Sequence, residues 1–116
     1  MPRLINIVAG LSGACALMAL AAAHHLVGDA DGRDWVVLAA IVQLSAALAG
    51  LVVAGRAGML NLIAGGLILV GATLFAAEIY VHAFLNNTAL EMIAPVGGAL
   101  AIIGWIALAF AKPAPR

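Results

Sequence analysis

Apolar positions fill this chain in four long runs, and polar residues gather in the short stretches between them. The runs cover about 4–23, 36–55, 60–79 and 93–112, each near the roughly 20 residues that a helix needs to cross bilayer hydrocarbon. The first connection holds Gly28, Asp29, Asp31, Gly32, Arg33 and Asp34, the second Gly55, Arg56 and Gly58, and the third Asn86, Asn87 and Thr88. These are turn formers. Alternation of period two is absent, which argues against a barrel. The pattern predicts an all-α fold: a polytopic membrane four-helix bundle, with 1–116 as a single transmembrane domain.

Composition sharpens this. Of 116 residues, 66% are hydrophobic and 9% charged, too few polar groups to cover the surface of a water-soluble fold of this size. The formal net charge is zero, so nothing points to nucleic acid as a partner. The one cysteine, Cys15, lies inside the first run and has no partner for an internal disulfide. Met1-Pro2-Arg3, an apolar stretch and Ala21-Ala22-Ala23 resemble a secretory signal, but the apolar part is long for one and three further spans follow. We read it as a retained span.

With four spans, the two ends of the chain and the second connection share one side. That side holds Arg3, Arg56, Lys112 and Arg116; the other holds only Arg33, among Asp29, Asp31, Asp34 and Glu91. The positive-inside bias predicts both termini in the cytoplasm. Trp35 and Tyr80 then fall at the outer interface and Trp105 toward the inner one, as aromatic belts require.

Small residues form ladders at helical spacing: Ala46, Gly50 and Ala54; Ala9 and Gly13, or Gly10 and Ala14; Gly97 and Gly104, with Ala101 on the same side. Such ladders let helices approach closely in lipid. Pro95 suits the first turn of the fourth helix, where its missing N–H costs nothing.

His24-His25-Leu26, Trp35, Gln43, Leu74-Phe75 with Ile79-Tyr80, and Ile93-Ala94-Pro95-Val96-Gly97-Gly98 followed by Gly104-Trp105 occur in order and at matching spacing. In these the chain resembles the YgdD-like family of small bacterial inner-membrane proteins, a domain of unknown function with a eukaryotic transmembrane relative. The resemblance covers nearly the whole chain. It implies four spans and inner-membrane location, and supplies no activity. His25 stands where the family has Gly, Ala46 where it has His, and Ala76-Ala77-Glu78 where it has a small Ser-containing stretch. A family-wide function therefore cannot depend on His25 or Glu78.

Candidate chemistry gathers toward the outer side. His24 and His25 fall just beyond the end of the first span, Glu78 near the end of the third, and His82 one turn further. Glu78 and His82 share a helix face at i and i+4. Imidazole and carboxylate make the ligand set of zinc and other divalent first-row metals, so His24, His25, Glu78 and His82 are the candidate metal site. The competing reading is interfacial anchoring, in which Glu78 snorkels and the Glu–His pair steadies the helix end. Gln43 lies deeper and is expected to bond across helices, with a His24–Gln43 cavity as the site common to the family pattern. Asn61 and Thr73 are expected to satisfy local backbone or neighbouring helices. Asp29, Asp31 and Asp34 read as a solvated acidic turn, lacking the Glu that would complete a calcium loop.

No nucleophile–base pair, phosphate loop or basic patch is present, which leaves an enzyme with least support. The sequence points to a structural or accessory membrane component that packs as a homo-oligomer or in a larger complex. Transport or metal handling is the alternative.

Overall fold

Four α-helices account for nearly the whole chain: α1 (Pro2–Leu26), α2 (Ala30–Ala54), α3 (Met59–Leu85) and α4 (Ile93–Phe110). The structure, a computed structural model, describes residues 2–113, and Arg116 of the charge bias lies outside them. Each helix is long and apolar enough to cross a membrane. Each also contains the span expected of it, apart from Gly55 and the pair Ala111 and Lys112.

α1 and α3 outrun their apolar runs at both ends and α2 at its start, and polar or glycine residues mark several of these ends. Asp29 is the N-cap of α2, its Oδ2 accepting from the Gly32 N–H at 2.7 Å, and Asp31 adds a carboxylate in the first turn. Asp31, Gly32, Arg33 and Asp34 are therefore helical, not the turn that their composition suggests. Arg33 Nη1 donates to the carbonyls of Val27 and Gly28 at 3.0 and 3.2 Å, tying the start of α2 to the end of α1. Gly58, at φ +106°, begins α3 in a conformation that a side chain would strain. Asn86 ends α3 in the left-handed region, and Asn87 Oδ1 accepts from the Ala89 N–H in the connection to α4.

The helices run alternately up and down. Asn61, early in α3, bonds the Lys112 carbonyl just past α4, while residues late in α1 and α3 pack with the start of α2. The Lys112 end is the terminal end here, and the opposite one the distal end. α3 is central, packing on both α2 and α4; α1 leans mainly on α2, and α4 touches α3 alone.

Small residues make these contacts. A Cβ on Gly71 would run into the backbone of Ala101 and Gly97, and one on Gly97 would meet the Gly71 carbonyl and the Phe75 nitrogen at 2.6 Å. Gly104 sits as tightly on Ala64 and Ile68, so the expected face of Gly97, Ala101 and Gly104 is the α3 contact. Gly50 is wedged between Ala9 and Leu69, and Gly65 against Val53. Of the two alternatives on α1, Ala9 and Gly13 face α2, whereas Gly10 and Ala14 are exposed. Leu11, Leu17 and Met18 of α1, with Ile103, Ile106 and Phe110 of α4, point outward. Lipid is as apolar as leucine, so such residues need no burial, and helix association relies on close backbone packing.

Candidate functional site

Because α4 packs on α3 and not on α2, a lateral cleft of about 1000 Å³ remains between α2 and α4 at the distal half. Its mouth carries Asp29, Asp31 and Trp35 from the start of α2, and Glu91 from the α3–α4 connection. Its floor is one face of α3, where Phe75, Glu78, Ile79 and His82 recur at helical spacing. The opposite wall is α4, from Ala94 and Pro95 down to Ile102.

Glu78 lies about two turns inside the end of α3, since the helix continues to Leu85. Ala39 clusters with Ala76 and Ile79, which sets Glu78 near the level of Ala39. That is one turn, roughly 6 Å, deeper than Trp35 on α2. The carboxylate is half-buried and lines the cleft, with His82 one turn above it toward the mouth.

His24 and His25 do not join them. The distal ends of α1 and α3 do meet, through Ala19, Ala23 and Val27 against Tyr80, Ala83 and Phe84. That contact is apolar, and both histidines, in the last turn of α1, are exposed and absent from the cleft lining. Among the described residues, no three His, Cys, Asp or Glu side chains group so that they could hold a metal ion. The set of His24, His25, Glu78 and His82 is thus divided: α3 presents its pair to the cleft, and α1 presents its pair elsewhere.

Gln43 is buried and bonds across helices as its chemistry requires, but its partner is not His24. Tyr80 Oη donates to Gln43 Oε1 at 2.7 Å, from α3 to α2. Tyr80 therefore belongs to the packed interior more than to an interfacial belt; its ring also leans on Phe84, with centroids 6.1 Å apart. The expected His24–Gln43 cavity is replaced by this bond. At the terminal end, Asn61 Nδ2 donates to the carbonyls of Ala57 and Lys112, each at 2.9 Å, and Arg56 Nη1 reaches Asn61 Oδ1 at 3.4 Å. Asn61 satisfies both its own backbone and a neighbouring helix, as read from the sequence.

The cleft itself is not visible in the sequence, where Asp29, Asp31 and Glu91 read as loop charges. A usable signal was the phase of Phe75, Glu78, Ile79 and His82, which share one face of α3.

The model of the family described as "Protein of unknown function (DUF423)" matches residues 11–98, most of the chain. The chain is also similar to a UPF0382 membrane protein of Haemophilus influenzae, with 43% identity over 42 residues, 36% of this chain and 34% of that protein. The match thus spans about a third of the relative's length. No solved structure matches.

Proposed function

This chain belongs to the DUF423 family, a membrane protein family of unknown function, and from that premise we propose that it is an accessory component of the bacterial inner membrane. In this reading it sits with both ends in the cytoplasm, within the YgdD-like group of such proteins, and works by packing with copies of itself or with a larger membrane complex. One observation carries the reading: among the described residues, the four helices are joined by short connections. The connections are only 27–29, 55–58 and 86–92, so nearly all side chains available to a partner project into lipid. Gly10 and Ala14 of α1 stay exposed while the other small-residue ladders pack inside the bundle, which leaves a face for helix docking in that setting.

The test is cross-linking in native membranes followed by purification under mild detergent. A reproducible adduct, with a second copy or with another membrane protein, is expected. Recovery as an unpartnered monomer alone would count against the accessory role.

Transport or handling of a cation is a second reading, favoured by the exposure of Glu78 and His82 to one cleft. A lone unit of four helices encloses little pathway, so transport would need an oligomer. Metal analysis of purified protein, with Glu78→Gln and His82→Ala beside it, tests the metal form of this idea. Absence of bound metal and unchanged stability in both variants would sink it.

A further inference from the structure

The charge pattern of the α2–α4 cleft is not used by an accessory role. Asp29, Asp31, Glu78 and Glu91 all line it, with His82 one turn from Glu78 as the other titratable side chain, and no Lys or Arg does. Arg33, the basic residue nearest these acids in the sequence, is engaged by the Val27 and Gly28 carbonyls. A groove of one sign with low-dielectric walls concentrates its field, here in favour of a cation.

The kind of cation follows from the geometry. A small inorganic ion needs several oxygens converging on one point, and the described acidic residues form no such group. The cleft is also large, about 1000 Å³, the upper end of the range for small-molecule sites. Deeper than Glu78 its walls turn apolar, with Phe75, Gly98, Ala99 and Ile102. At the mouth Trp35 is 56% exposed, leaving an indole available to an organic ammonium or phosphonium group. Dispersed carboxylates, an aromatic ring and an apolar floor suit a weakly hydrated charge attached to an apolar body.

We propose that this cleft is a binding site for an amphiphilic organic cation. Its charged group sits near Glu78 and Trp35, and its apolar part lies along α3 and α4 toward Phe75 and Ile102. The site goes beyond the accessory reading and stands on the cleft alone, so its failure leaves the cross-linking test untouched.

The experiment is equilibrium dialysis of the full chain in maltoside micelles against tetraphenylphosphonium, with protein-free micelles as the blank. Tetraphenylborate, an apolar anion of nearly the same size, is the charge control. Saturable binding of the phosphonium is expected, with no saturable binding of the borate. Glu78→Gln should weaken the phosphonium by about tenfold and Trp35→Ala by about threefold. Glu78→Asp keeps the charge and should stay within about threefold of the native chain, which separates loss of charge from loss of fold. Three results would each overturn the proposal. They are no saturable phosphonium binding, equal binding of both ions, and an affinity unchanged by both Glu78→Gln and Trp35→Ala. A dimer cross-linked between copies through Ile102→Cys, and unaffected by phosphonium, would assign the cleft to a second copy and overturn it too.

Discussion

The Tyr80 hydroxyl donates to Gln43 Oε1 at 2.7 Å, one polar bond joining α2 to α3 where the surrounding contacts are apolar. Gln43 is buried and Tyr80 half-buried, so water does not readily replace either partner. Tyr80→Phe should destabilise the protein by about 0.6 kcal/mol and by no more than about 1.7, the mean and the maximum for side-chain bonds between membrane helices. Gln43→Leu should cost a similar amount, and the double variant less than the sum. Unfolding of the purified protein in detergent measures all three. Strict additivity would mean that the two residues do not work as a pair.

The α3–α4 contact makes a second prediction. Gly97→Ala and Gly71→Ala place a methyl against backbone, which cannot move aside as a flexible side chain can. Each should cost about 1–3 kcal/mol, and the loss should fall on α4, whose packing is on α3 alone. Gly10→Ala and Gly66→Ala meet nothing within 4 Å and should be neutral or slightly stabilising, since alanine favours helix. Thermal unfolding of the four variants checks this. Equal losses in all four would show that helix propensity, not close approach, sets the effect.

These two contacts differ in how far the sequence discloses them. Helix positions were legible because hydrophobic length alone marks a span, whatever the neighbours. The α4 face was legible too, since Gly97, Ala101 and Gly104 stand at contact spacing in an otherwise bulky helix. Gly71 opposite them stands without a ladder around it, so nothing in the sequence sets it apart from the other glycines of α3. The Tyr80–Gln43 bond and the cleft depend on how each helix is turned about its axis. In a soluble bundle the polar face reveals that turn; here lipid and core are equally apolar, and the pattern is nearly uniform around each helix. The separation of His24 and His25 from Glu78 has the same origin. Span length places both pairs in the distal half, and helix rotation sends them to different faces.

Asp29 allows charge to be separated from structure at the mouth of the cleft. Its Oδ2 caps α2 through the Gly32 N–H, an exposed bond of 2.7 Å. Asp29→Ala removes cap and charge together and should lower stability by about 1 kcal/mol. Asp29→Asn keeps a capping oxygen and should remain close to the native chain in unfolding experiments. If the Asn variant falls as far as the Ala variant, the carboxylate rather than the cap is what α2 needs there.

Asn61 holds the opposite end. It is 1% exposed, and its Nδ2 donates both to the Ala57 carbonyl just ahead of its own helix and to the Lys112 carbonyl beyond α4. That second bond fastens the terminal end of α4 to α3. Asn61→Ala leaves both carbonyls without this donor and should cost about 1–3 kcal/mol. Local opening should be most marked at α4, with faster amide exchange over Leu108–Lys112 than over the middle of α3. Asn61→Asp distinguishes the donors from the acceptor. The carboxylate would receive Arg56 at least as well as the amide oxygen, 3.4 Å from Arg56 Nη1, yet could donate to neither carbonyl. If the tie to Lys112 is what anchors α4, the Asp variant should exchange as fast as the Ala variant despite its stronger hold on Arg56. Native-like protection of Leu108–Lys112 in both variants would show instead that the glycine contacts alone secure α4.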